Sequence, residues 1–149
     1  MIIETYHVSD NMDAKTIFQP KIWYIVCGVV ALAGGIENNI NAEIWAESAW
    51  GVDGVNDQAL AMEALFGLFM CGFGVMGLTC AFVLEGKAQA RFAIANGAVI
   101  SLFFVTMFFV LPTTGYEMPS AAFLAPPFLF MGGLMASGYL HLNDEEQGA

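Results

Sequence analysis

The chain has 149 residues, 58% of them hydrophobic and 12% charged, with a mean hydropathy of +0.65. A soluble domain carries about a quarter charged residues, so this composition excludes an ordinary water-soluble fold and predicts an all-α, polytopic membrane protein. A net charge of −10 with only four basic residues excludes nucleic acid as a partner, because phosphate backbones require clustered Lys and Arg.

Residues 1–20 read as a polar inner arm. Asn11 and Asp13 could cap a short helix over Ala14–Phe18, which Pro20 would end. Lys21, the apolar Ile22–Val30 and Ala31-Leu32-Ala33 imitate a secretory leader. The long acidic segment ahead of them argues instead for an uncleaved first span. That span, about 22–44, opens on the interface-type aromatics Trp23 and Tyr24 and must continue through Glu37, Asn38 and Asn39 toward Trp45. In the first outer connection, Asn41 to Trp50 suits a short interfacial helix, with Trp45 and Trp50 dipping into the membrane surface and Glu43 and Glu47 in water. A turn follows, with Asp57 as the expected N-cap of the second span.

The remaining spans are expected at about 59–84, 91–111 and 120–142, followed by an inner acidic tail over 143–149. Each reaches the ~20 residues that cross a bilayer core. Together they predict one membrane domain, a bundle of four transmembrane helices. Gly67, Cys71 and Gly74 share one face of the second span, Gly28 and Gly35 lie seven apart in the first, and Gly132, Gly133, Ala136 and Ser137 lie in the fourth. Small residues let membrane helices approach closely, so spans one, two and four are expected to form the tight part of the bundle. Phe103, Phe104, Phe108 and Phe109 make the third span bulky, suited to lipid, a partner subunit or a bound hydrophobic molecule. Pro126-Pro127 predicts a bend or a re-entrant start in the fourth.

Orientation follows from the basic residues. Lys15 and Lys21 precede the first span, and Lys87 and Arg91 separate the second from the third. The positive-inside rule places these segments, and with them both termini, on the cytoplasmic side. The outer side then holds seven acids and no base, and the inner side seven acids against four bases.

Glu63 is the prime candidate for chemistry. A carboxyl inside a span often marks a proton or ion path, although one turn from the helix end it can also snorkel into water. Glu37, Asn38, Asn39, Asn41 and Glu43 could offer oxygens to Ca²⁺ but match no EF-hand spacing, and Asp53–Asp57 lacks the downstream Glu such a loop requires. Cys27, Cys71 and Cys80 lie within spans and read as small apolar residues. The methionines, Met131 and Met135 included, read as core fillers rather than copper ligands, and His141 as a polar interface residue rather than a haem or pigment ligand. No nucleotide, metalloprotease or hydrolase motif is present, so no catalytic residue, metal or cofactor is predicted; a bound lipid or pigment would suit the apolar spans.

Met62-Glu63-Ala64-Leu65-Phe66-Gly67 opening a glycine-rich span, the short basic turn to Arg91 and the short outer loop before the last span together resemble the DoxX-like group of small four-helix membrane proteins over roughly residues 59–140. The resemblance implies a four-helix membrane fold, and for some members a tie to quinone-linked oxidation. The third span lacks the embedded basic residue expected of some relatives, and no catalytic residue carries over. The expected function is that of a small non-catalytic accessory subunit of a larger membrane complex of respiratory, photosynthetic or monooxygenase type. Its partners would be other integral membrane subunits and the lipid bilayer. The alternatives are a homo-oligomeric transporter or proton-linked module using Glu63, and a DoxX-like redox accessory protein.

Overall fold

The computed structural model describes residues 14–118 and 121–144. Asn11, Asp13 and the tail acids Glu145 and Glu146 lie outside these residues. The described chain is all-helical: α1 (Ala14–Ile17), α2 (Pro20–Ile40), α3 (Ala42–Trp50), α4 (Asp57–Val83), α5 (Gly86–Val110) and α6 (Ala121–Leu140), with short 3-10 turns at Val52–Gly54 and Leu111–Thr114. The segments 14–40, 57–83 and 86–114 are long and apolar enough to cross a membrane.

Local chemistry sets the boundaries. Gln19 precedes a proline and is extended (φ −79°, ψ 127°), which separates α1 from α2. Pro20 then starts α2, at a position where its missing N–H costs nothing. The first long helix closes at Ile40, short of the expected 44. At Asn41 the backbone turns aside (φ −110°, ψ 31°), while its amide still bonds Glu37 O at 2.9 Å and its side chain donates to Glu37 Oε1 at 2.9 Å. The N-cap of α4 is Asn56, not Asp57: its side chain accepts from the amides of Gln58 (2.9 Å) and Ala59 (3.1 Å). Gly86, at φ 55°, makes the tight turn into α5. Gln89 Nε2 then donates to Cys80 O (3.1 Å), which also takes the Leu84 amide, and to Ala81 O (3.3 Å), one of the last carbonyls of α4. Helix α6 runs through Pro126 and Pro127 without interruption, so no re-entrant start forms among its described residues.

The helices associate as two pairs. In the first, α2 lies against α4 with the backbones in contact. A Cβ on Gly35 would sit 2.5 Å from Gly67 O, and one on Gly74 would sit 2.8 Å from Gly28 O. In the second, α6 lies against α5: a Cβ on Gly97 would sit 3.0 Å from Met131 O, and one on Gly138 would meet Ala90 O. This corrects the expected grouping, since the fourth long helix takes the third as its main neighbour. Ala90, Ala93 and Gly97 make the N-terminal half of α5 as narrow as its C-terminal half is bulky, and all three are buried. Where α6 meets α2, Gly133 lies beneath the Trp23 ring and Cys27 Sγ is 3.7 Å from Phe130 O. Tyr24, Cys80, Ala81, Ala93 and Leu134 form the core where the two pairs meet.

Candidate functional site

Above that core the pairs part, and a cleft opens between α2/α4 and α5/α6. Its outer chamber is a cavity of about 220 Å³. Helix α2 contributes Glu37 and Asn38, α4 contributes Glu63 and Met70, and Phe104 and Phe108 come from α5. Trp45 of α3 and Tyr116 of the α5–α6 connection close the polar end. A deeper chamber of about 150 Å³ shares Met70, Phe104 and Pro127 with the outer one and is otherwise almost wholly apolar. At its wall, Asn96 Nδ2 donates to Tyr24 OH at 3.0 Å, bridging α5 to α2.

Glu63 sits on the close-packed face of α4, one turn from Gly67, and is only 3% exposed. The snorkelling expected of a carboxyl so near a helix end therefore does not occur. Asn38 holds the surrounding backbone, its Nδ2 donating to Glu63 O at 2.9 Å. The carboxyl itself takes hydrogen bonds from the side chains of Asn38 and Tyr116. Burial, followed by the negative charge and hydrogen bond of Glu63, pushes the Tyr116 phenol up to about 12. Gly115 makes this placement feasible: at φ 88° it turns the chain back after the 3-10 turn and delivers Tyr116 over the cleft.

The α2–α4 connection and the α5–α6 connection are stitched to the site. Trp45 Nε1 donates to Glu37 Oε2 at 3.0 Å, folding α3 back onto the end of α2. Trp50 meets Tyr116 edge to face, with ring centroids 5.3 Å apart, and Glu117 N donates to Ala49 O at 2.7 Å. Trp50 Nε1 is buried with no hydrogen-bond partner among the described residues. Both tryptophans thus turn to protein contacts, while Glu43 and Glu47 remain exposed. The oxygens considered for Ca²⁺ diverge: Asn38 serves Glu63, Asn39 caps Gly35 O, and Asn41 serves Glu37. Among the described residues, no three His, Cys, Asp or Glu side chains converge on a metal-sized point.

The phenylalanines of α5 divide between two environments. Phe103 packs edge-on against Phe73 of α4, and Phe104 tilts against Phe128 of α6. Phe109 points outward and is 71% exposed. Cys71 and Ser137 are helix-packing groups, with Ser137 fully buried and its Oγ donating to Leu134 O at 2.7 Å.

A second polar cluster lies at the opposite end of the molecule. Lys15 Nζ and Asp144 Oδ1 are 2.6 Å apart, His141 Nδ1 is 2.6 Å from Asp144 Oδ2, and His141 Nε2 is 3.1 Å from Lys15 O. His141 is thus a tie between the start of α1 and the end of α6.

The sequence singled out Glu63, Trp45, Phe104 and Phe108, and the structure brings them together around one cavity. Tyr116 and Met70 were missed. For Tyr116 a local signal existed, an aromatic directly after a glycine in a short connection.

Fold and site together define a helical protein of the integral membrane class, with a carboxyl held inside its helix bundle. Comparison with protein-family models, with curated proteins and with solved structures gives no match.

Proposed function

We propose that the chain is a four-span integral membrane protein that acts as a non-catalytic accessory component of a membrane assembly and holds a small amphiphilic molecule in its central cleft. α6, with 20 residues and no charged side chain, supplies the fourth crossing. The contact of Lys15 with Asp144 supports an even number of crossings, and the positions of the four basic residues put that end in the cytoplasm. α3 then lies along the outer surface.

The observation that carries the ligand-holding role is the outer chamber, apolar along its walls and polar at one end. Ligand sites are typically concave and mostly apolar, with a few convergent polar groups. The polar groups at hand among the described residues are hydrogen-bonded to one another, which favours holding over turnover. Exposed apolar side chains on α4 and α5, such as Leu68, Phe82, Val99 and Leu102, offer faces to lipid or a neighbouring subunit.

The test is purification from native membranes followed by mass spectrometry. The expected result is stoichiometric partner subunits together with a retained small molecule, and loss of that molecule in a cavity-filling Met107→Trp variant. Recovery as a lone, ligand-free chain would refute the proposal.

The burial of Glu63 favours a second reading, in which a homo-oligomer moves protons or ions through this group. Glu63→Gln separates the two: it abolishes transport on the second reading and leaves assembly intact on the first.

A further inference from the structure

We infer that the outer chamber is selective for a small hydrophobic organic cation, an aryl- or alkylammonium, whose nitrogen lies at the Glu63 and Glu37 end and whose apolar body runs toward Met70 and Phe104. The inference deepens the ligand-holding role proposed above and rests on it.

Size sets the first limit. A protein cavity of about 150 Å³ accommodates one benzene ring, so about 220 Å³ accommodates a ring with a compact ammonium head. A longer apolar tail would continue past Met70 and Phe104 into the deeper chamber.

Charge sets the second. Among the described residues, the chamber wall contains two carboxyl groups, Glu37 and Glu63, and no Lys, Arg or His. Its neutral polar partners, Asn38, Trp45 and Tyr116, are already donating to those carboxyls or to the adjoining backbone. An anionic ligand would meet repulsion there, and a neutral hydrocarbon would bring no counter-charge to a carboxyl held away from water. A cation brings one.

The wall chemistry sets the third. Trp45, Phe66, Phe104, Phe108 and Tyr116 line the chamber, and the negative faces of aromatic rings attract ammonium groups most strongly where water is excluded. On the neighbouring segments, Glu43 and Glu47 of α3 and Glu117 next to Tyr116 are exposed, and acidic surroundings raise the local concentration of cations.

The test compares benzyltrimethylammonium with its uncharged carbon isostere, neopentylbenzene, and with benzenesulfonate, on the full chain in nanodiscs with empty nanodiscs as the blank. The cation is expected to bind about tenfold or more tightly than the isostere, a ratio in the range of a desolvated cation–aromatic contact reinforced by a carboxylate. The sulfonate is expected not to bind. Glu63→Gln, or Glu37→Gln should the first variant not fold, is expected to erase the preference. Equal binding of cation and isostere leaves the chamber a ligand site but overturns its selectivity for cations. A preference that survives both substitutions overturns the role of the carboxyls. Binding of none of the three compounds overturns both the inference and the ligand-holding role beneath it.

Discussion

The hydroxyl of Tyr116, on the connection between α5 and α6, donates to the carboxyl of Glu63 in the second turn of α4. One hydrogen bond thereby ties the second helix pair to the first at the mouth of the cleft. It also makes Tyr116 a reporter of the site. Folding holds its phenol proton up to about 12, against an ordinary value of 10.0. Between those values the native state binds more protons than the unfolded chain, so stability is full below about 10 and falls as pH rises toward 12. Ultraviolet titration should show a tyrosine ionising near pH 12 that is absent in Tyr116→Phe and shifted to lower pH in Glu63→Gln. Tyr116→Phe also leaves a buried carboxyl short of a donor, which should cost about 1–3 kcal/mol in detergent unfolding. A variant as stable as the parent would remove this bond from the account.

The contact of α2 with α4 leaves no room for side chains at its glycines. Alanine at Gly35 or Gly74 would set a methyl group within 2.8 Å of the facing helix backbone. Each change should destabilise by about 1–3 kcal/mol, the range for overpacking. Gly72 is the control, since a Cβ there meets nothing within 4 Å. Gly72→Ala should be neutral or raise stability by up to about 1 kcal/mol, through helix propensity alone. Similar thermal shifts in all three variants would contradict the packing described.

The bridge from Asn96 to Tyr24 crosses between the pairs deep in the bundle. Polar pairs between membrane helices are typically worth about 0.6–2 kcal/mol. A double-mutant cycle with Asn96→Leu and Tyr24→Phe should return a coupling in that range, measured by reversible unfolding. Additive single effects would mean the pair contributes nothing beyond its parts.

At the other end of the molecule, the hydrogen bond from Lys15, and secondarily that from His141, holds the Asp144 carboxyl below the usual carboxylate range. Such a group contributes above its unfolded pKa, and the contribution disappears as pH falls through the folded value. The pair is exposed, so it sets position rather than stability. The NMR titration midpoint of Asp144 should rise in Lys15→Ala. Single cysteines at Lys15 and Asp144 should react with an impermeant maleimide from the same side of the membrane, and a cysteine at Asp53 from the other. Labelling of the first two from opposite sides would end the four-span proposal.

Much of this architecture was legible in the order of the residues. Apolar runs long enough to cross a bilayer announce themselves one residue at a time, because lipid leaves the backbone few alternatives to a helix. The same holds for Gly67 and Gly74, whose spacing alone puts them on one face. Glu63 stood out because a carboxyl within an apolar run is rare.

Partnership between helices was not legible. Gly97 and Gly138 look like Gly132 in the sequence, yet the first two meet a neighbouring helix and Gly132 meets nothing within 4 Å. Which small residue finds a neighbour depends on the rotation and crossing of whole helices, and single-helix periodicity does not contain that information. The pairing of α5 with α6, the cleft it leaves beside α2 and α4, and the delivery of Tyr116 over Glu63 all arise at this level. Composition and periodicity determined that the chain forms long apolar helices with an acid among them. Only tertiary packing decided that this acid would face a cavity, because a cavity belongs to the gap between surfaces and to no single stretch of chain.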